Sequence, residues 1–194
     1  MIVIKNQKFR HLLRWMIPFI GIPLLTFLGS VILKGEYYLP VAFAGAFLSL
    51  ILFASGFEKK KTGTRRIVIV SVMTALCFTG RFIPLLKPMI ALTIITAVWL
   101  GRESGFLTGS LSAVLSNFYF GQGPWTIFQM LTWGLIGYFA GIFAEPLKNN
   151  RIILFSYGII SGIFYSFSMD IWTVLWYAKG FDWGLYRSAL VTAI

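Results

Sequence analysis

The sequence is poor in charge, and above all in acidic residues. Of 194 residues, 12% are charged, six are Asp or Glu, and one is histidine. Soluble proteins average about 25% charged residues, so this composition excludes an ordinary soluble domain. The scarcity also leaves no cluster of His, Cys and carboxylate side chains at the spacing of a metal site. We therefore expect no metal ion and no bound cofactor acting as a catalyst.

Other chemical features are missing as well. The only cysteine, Cys77, lies in an apolar run, which excludes an intrachain disulfide. The ATP-binding loop GxxxxGK[ST] does not occur, and no nucleophile can be paired with a base. An enzyme is therefore disfavoured, and any energy from ATP has to come from partner subunits. A membrane enzyme that uses Asp170 and Asp182 is a weak alternative, because only one of the two lies within a span.

Long apolar runs make up most of the chain, in which 58% of residues are hydrophobic. A run of about 20 apolar residues crosses about 30 Å of hydrocarbon. Hydropathy predicts seven complete spans, at 12–33, 37–57, 65–83, 88–101, 104–118, 125–144 and 152–177. An eighth begins near Tyr186 and is too short to cross. We predict an all-α, polytopic transmembrane helix bundle.

The net charge of +11 is distributed as in a membrane protein. With the N-terminus in the cytoplasm, twelve of the seventeen basic residues fall on the inner side, as the positive-inside rule requires. The segment EKKKTGTRR, residues 58–66, contributes five of them. We predict a multi-pass protein of the bacterial plasma membrane with GRFIPLLKP and FYFGQGPW facing outside.

A change of composition divides the chain in two. The first two spans are almost free of polar residues, whereas the spans after Arg65 are rich in small and polar ones. We therefore predict an N-terminal transmembrane hairpin, 1–57, and a functional core, 65–194.

Rows of small residues at i, i+4 spacing predict close helix packing, because helices in lipid associate through small side chains. The three rows are Gly101–Gly105–Gly109–Ala113, Gly158–Gly162–Ser166 and Ser71–Ala75–Thr79. The next step along the first row is Asn117, and along the second it is Asp170. An acid at bilayer depth is costly and is therefore a candidate functional residue. Its alternative role is to cap or pair with a neighbouring helix.

The segment NFYFGQGPWTIFQMLTWG, residues 117–134, is the strongest candidate for a ligand site. Trp125, Gln129 and Trp133 share one helical face, which suits a flat organic ligand that carries amides. The candidate ligand-binding residues are Arg81, Lys87, Asn117, Phe118, Gln122, Trp125, Gln129, Trp133 and Asp170. Interfacial aromatics and snorkelling basic side chains are common in membrane proteins, so a purely structural role is the alternative for several of them.

The chain resembles the substrate-binding S-components of energy-coupling factor (ECF) vitamin transporters over about residues 65–180, most specifically in SNFYFGQGPWTIFQM. A subgroup with a cobalamin-specific member also has a preceding helical hairpin. The resemblance implies a six-helix core that captures a vitamin outside and then docks on a transmembrane coupling subunit with two cytoplasmic ATPases. It implies docking through Ser71, Ala75 and Thr79, where an Ala-x-x-x-Ala-like pattern has serine at its first position.

The favoured interpretation is therefore an S-component for cobalamin or a related corrinoid. Another flat vitamin such as riboflavin, or a structural or assembly membrane protein, is the alternative. The family's sixth core helix is mostly absent after Arg187, so the last core helix is expected to be truncated at Ile194.

Overall fold

The computed structural model describes residues 6–33, 36–56, 60–83, 88–177 and 182–192. These residues are helical apart from short turns. The helices are α1 (Gln7–Met16), α2 (Ile22–Phe27), α3 (Tyr38–Ser55), α4 (Lys60–Gly80), α5 (Met89–Leu100), α6 (Arg102–Phe120), α7 (Trp125–Ile142), α8 (Ala144–Asn149), α9 (Arg151–Tyr177) and α10 (Trp183–Thr192). The predicted all-α membrane bundle is confirmed.

The predicted spans correspond to these helices, with two differences. The first span is interrupted by π-helical segments at Ile17–Gly21 and Leu28–Ile32. The first of these contains Pro18, which lacks the N–H that a regular α-helical turn would use. The short helix α8 was not predicted, because six residues carry too little periodic signal to be recognised.

The outer helices are apolar, and the central ones carry the polar groups. Among the described residues, four helical stretches are long and apolar enough to cross a membrane: Gln7–Ser30, Tyr38–Ser55, Gly63–Gly80 and Arg151–Leu175. Helices α6 and α7 lie in the interior and form the most extensive helix pair in the bundle. Their glycines, hydroxyls and amides face protein and are shielded from lipid by the surrounding helices.

The first small-residue row makes this pairing possible, as predicted. A Cβ placed on Gly109 would lie 2.4 Å from the carbonyl oxygen of Trp133. A Cβ on Gly105 would lie 2.3 Å from the Cβ of Ala97 and 2.8 Å from the carbonyl oxygen of Gly137. Hydrogen in place of a methyl group therefore lets the backbones of α5, α6 and α7 approach closely. The same row carries Asn117 into the interior.

The packing predicted for the second row is wrong. A Cβ on Gly158 or Gly162 would meet no atom within 4 Å. Helix α9 instead turns the neighbouring face inward, where Ser161 is buried and the Tyr157 hydroxyl donates to the carbonyl oxygen of Ile136 at 2.6 Å. The two faces differ by one residue in register, and Tyr157 and Tyr165 make the contacts with α7 in place of the glycines.

Helices α1–α3 lie against the core: α3 packs on α6 and α7, α2 packs on α7, and the carbonyl oxygen of Arg14 in α1 accepts from the Tyr138 hydroxyl of α7. At one end of the bundle they are joined to the core by four charged residues, Arg14, Arg66, Arg102 and Glu103, which we call the charge cluster. The Glu103 carboxylate is 3.0 Å from Arg14, 3.2 Å from Arg102 and 3.4 Å from Arg66. Arg14 also donates to the carbonyl oxygen of Ser55 at 3.3 Å. The division into an N-terminal hairpin and a core stays a prediction.

Candidate functional site

The candidate site lies at the end of the bundle opposite the charge cluster. Asn117 is fourteen residues along α6 from Glu103, which at 1.5 Å per residue separates them by about 21 Å. Helix α6 is terminated by Gly121, the residue after Phe120. Its φ of 105° is easily adopted only by a residue without a side chain. Helix α7 then begins at Trp125, and the ring of Trp125 covers Gly123. The tight turn brings the end of α6 beside the start of α7.

Asn117 is the centre of a buried hydrogen-bond network. Only 1% of its surface is exposed. Its amide nitrogen donates to the Thr126 hydroxyl at 2.9 Å and to the Gln129 side-chain oxygen at 2.8 Å. Gln129 in turn donates to the Tyr165 hydroxyl of α9 at 3.2 Å. Three helices are therefore tied together by amide and hydroxyl groups that lipid could not satisfy.

Arg81 supplies the positive charge of this network. Its Nη1 donates to the side-chain oxygen of Asn117 at 2.9 Å and to the hydroxyl of Ser116. Its guanidinium carbon also lies 4.7 Å from the ring centroid of Phe120 and 5.7 Å from that of Trp133. Burial lowers the pKa of Arg81 from its ordinary value, but a guanidinium starts so high that the cation persists at neutral pH.

Aromatic pairs line the α7–α9 contact. Trp133 stacks on Tyr165 with ring centroids 5.2 Å apart and an angle of 10° between the planes. Near the turn, Trp125 meets Trp172 edge to face at 5.8 Å. Each indole on the predicted face of α7 therefore pairs with an aromatic ring of α9, with the Gln129 amide between them. We call the connected set the amide–aromatic cluster: Arg81, Ser116, Asn117, Thr126, Gln129, Trp133 and Tyr165.

The other predicted site residues lie around or outside this cluster. Gln122 borders it, since it accepts from Thr126 at 2.9 Å and donates to the carbonyl oxygen of Val114 at 3.0 Å. Phe118 is exposed on the opposite side of α6, where it contacts Phe43. Asp170 is half-buried, and its Oδ2 has no hydrogen-bond partner among the described residues. Lys87 falls outside the described ranges.

Sequence reasoning missed Tyr165, Thr126 and Ser116. Tyr165 was detectable in principle, because Tyr157, Ser161 and Tyr165 form an i, i+4 row of hydroxyl-bearing residues on α9. The glycines one position away gave a competing row, and the pattern alone could not decide between them. Ser116 and Thr126 are too common as helix residues to signal a site.

The third small-residue row lies on a surface. Ser71, Ala75 and Thr79 are exposed on α4, and Ser71 and Ala75 line an open groove of about 490 Å³. The groove walls come from α3, α4 and α6 and include Phe53, Leu107, Leu111 and Phe118. We call it the small-residue groove. This row therefore does not pack within the core.

The chemistry of the amide–aromatic cluster suits recognition better than catalysis. It offers a cation, hydrogen-bonding amides and hydroxyls, and the ring face of Trp133, and the ring of Phe120 lies beside its cation. Such a set can hold a flat ring that carries carbonyl or amide groups. Among the described residues, no group of three or more His, Cys, Asp or Glu side chains could hold a metal ion.

Comparison with known proteins relates most of the chain to a described family. Residues 61–185 match a family described as the ECF-type riboflavin transporter, S component, which is more than half of the chain. No curated protein matches the sequence, and no solved structure matches it. The match begins at the start of α4 and ends within α10, so helices α1–α3 lie outside it.

Proposed function

The chain belongs to the ECF-type riboflavin transporter S-component family, and we propose that its amide–aromatic cluster binds the transported vitamin. The family is that of a transporter's substrate-binding subunit, which is not an enzyme. The observation that carries the proposal is a buried amide network that ends in a cation between two aromatic faces. A purely structural membrane protein would need packed side chains at this position, but it would not need the cation.

Arg81 is the polar residue of the cluster that we expect to contact the ligand directly. Asn117 and Gln129 already use their side-chain donors and acceptors within the cluster. Arg81 follows the last residue of α4, so its side chain can turn without any change in the helix. A ligand ring that entered between Phe120 and Trp133 would displace the guanidinium from the ring faces. Arg81 would then donate to a carbonyl or phosphate oxygen of the ligand.

Riboflavin is the vitamin favoured by the family description. Its flat, carbonyl-bearing ring system suits stacking on Trp133 and hydrogen bonding to Arg81. Cobalamin or a related corrinoid is the second candidate. It is retained because the α1–α3 hairpin precedes the matched region, and a preceding hairpin is the feature in which the sequence resembles the cobalamin subgroup.

The direct test is calorimetric titration of the detergent-purified chain with riboflavin and, separately, with cobalamin. Saturable binding of one vitamin and not the other identifies the substrate. If neither binds to a folded preparation, mass spectrometry of the small molecules that co-purify identifies the ligand. A folded protein that binds no vitamin and carries no small molecule would contradict the proposal.

Substitutions at the cluster locate the site. Arg81→Ala and Gln129→Ala should each weaken vitamin binding roughly tenfold or more, the effect of losing a hydrogen bond in a buried polar site. Phe118→Ala is the matched control, because Phe118 neighbours Asn117 in sequence but lies on the far side of α6. Melting temperatures without ligand distinguish loss of binding from loss of folding. Equal affinity in all three variants would place the site elsewhere.

The orientation of the protein in the membrane and its partner subunits are inferred from two of its surfaces. We propose that the N-terminus and the charge cluster face the cytoplasm, so that the amide–aromatic cluster faces outside. The subunit would then deliver its vitamin by docking the small-residue groove on a transmembrane coupling subunit associated with two ATPases. Support comes from the distribution of basic residues and from the exposure of Ser71 and Ala75 on α4.

A further inference from the structure

A second open groove lies between α4 and α5, at the same end of the bundle as the charge cluster. Its volume is about 780 Å³. It is a different surface from the small-residue groove and shares no lining residue with it. We call it the basic groove, and it is lined by Arg65, Arg66, Ile69, Met73, Ile95, Thr96, Trp99 and Leu100.

The groove is basic at one end and apolar along its length. Arg65 and Arg66 line one end of the groove on α4, and the apolar wall extends from there to Met73. From Arg65 to Met73 the helix rises eight times by about 1.5 Å, which is about 12 Å in all. On the facing helix, Trp99 is 72% exposed, and it lies near the end of α5 next to the arginines. The basic groove is therefore long and apolar, carries positive charge at one end, and is open on the side that would face the bilayer.

Among the described residues, the basic side chains at this end of the groove outnumber the carboxylates that could balance their charge. Glu103 is the carboxylate of the charge cluster, and three arginines already share it. Arg65 is exposed. The Lys148 ammonium lies 5.2 Å from the Trp99 ring centroid, and its described ion pair is a 3.8 Å contact to exposed Glu145. An anion placed between Arg65 and Lys148 would be attracted from two sides.

We infer that the basic groove binds one acidic phospholipid. Its phosphate would contact Arg65 and approach Lys148, while an acyl chain would lie along Ile69, Met73 and Ile95. Basic pockets between transmembrane helices are recognised sites for anionic headgroups. Arg66 is held by Glu103 and Ser104, so it forms the fixed wall of the site. The inference concerns a lipid and does not depend on which vitamin the protein binds.

Native mass spectrometry of the full detergent-purified chain tests the inference. The probes are phosphatidylglycerol and phosphatidylcholine with identical acyl chains. We expect one phosphatidylglycerol adduct that survives activation conditions under which phosphatidylcholine is lost. Arg65→Ala should reduce its occupancy about fivefold, the effect of one basic residue near an anionic lipid. Ile95→Trp, which fills the channel, should also reduce it.

Arg151→Ala is the matched control, because Arg151 is an exposed basic residue at the start of α9 and does not line the groove. It should leave the adduct intact. Equal retention of the two lipids, or no effect of either groove substitution, would overturn the inference. Displacement of the lipid by excess inorganic phosphate would also overturn it, since it would indicate an anion site without an acyl-chain channel. Loss of coupling-subunit binding in Ile95→Trp with unchanged lipid retention would assign the groove to a protein.

Discussion

At the scale of single residues, the polar side chains of this protein sit where helices meet. The side-chain amide of Asn117 bonds to Arg81, which follows α4, and to Thr126 and Gln129 of α7. Glu103 is similarly enclosed at the other end, with 5% of its surface exposed. In a medium without water, each such group needs protein partners. A substitution that removes one member therefore affects all helices that contribute to its network.

Glu103→Gln should destabilise the protein strongly. The change leaves three arginines close together without the carboxylate that balances them, which costs on the order of 3 kcal/mol for a buried pair. We expect the melting temperature in detergent to fall by roughly 5–10 °C. Glu145→Gln is the control, because Glu145 is exposed and its contact to Lys148 is 3.8 Å long. A similar melting temperature for both variants would contradict a stabilising role of the charge cluster.

At the scale of helices, glycine is required only on certain faces. Gly109 lies against the backbone of α7, whereas Gly158 faces open space. The two residues have the same type of i, i+4 neighbours in the sequence, so the pattern alone gives them the same role. What distinguishes them is whether another helix is close enough to use the absent side chain.

Alanine substitutions at these glycines should have opposite effects. In Gly109→Ala the new methyl group overlaps the carbonyl of Trp133, and forcing α6 from α7 should cost about 1–3 kcal/mol. In Gly158→Ala the methyl group meets nothing, so the higher helix propensity of alanine should leave stability unchanged or raise it slightly. Thermal unfolding in detergent measures both. Destabilisation of the same size in Gly158→Ala would mean that this face of α9 is packed.

At the scale of the whole molecule, the proposed activities occupy different surfaces. The amide–aromatic cluster lies at one end, and the small-residue groove lies along α4. Binding of the vitamin and docking on the coupling subunit should therefore be separable by mutation. Separability is the property expected of a subunit that captures its ligand before it associates with the rest of the transporter.

Ala75→Trp should abolish co-purification with the coupling subunit and leave vitamin affinity unchanged. An indole at Ala75 fills the small-residue groove and prevents close approach of a partner helix. Ile160→Trp is the control, because Ile160 is exposed on α9 and the groove is lined by residues of α3, α4 and α6. Intact assembly in Ala75→Trp would rule out docking at this groove.

The sequence by itself determined the membrane class, the approximate helix bounds and the S-component family, whereas the cobalamin subgroup that it favoured stays a prediction. Hydropathy is a local property that each segment carries alone, so spans could be assigned without knowing their neighbours. The sequence also identified Asn117, Gln129 and Trp133 as unusual. Burying an amide within an apolar run costs free energy unless it is hydrogen-bonded, and large aromatic residues cluster around these amides. Their buried positions agree with that expectation, whereas their role in binding stays a prediction.

Only the tertiary structure decided which residues meet. It joined Arg81 to Asn117 across two helices, paired Trp133 with Tyr165, and turned Phe118 away from both. It also separated the packed glycine row of α6 from the unpacked row of α9. These outcomes depend on the rotation of each helix about its own axis, which is set by contacts between segments distant in the sequence. A shift of one residue changes that rotation by about 100°, and a periodic pattern does not determine it.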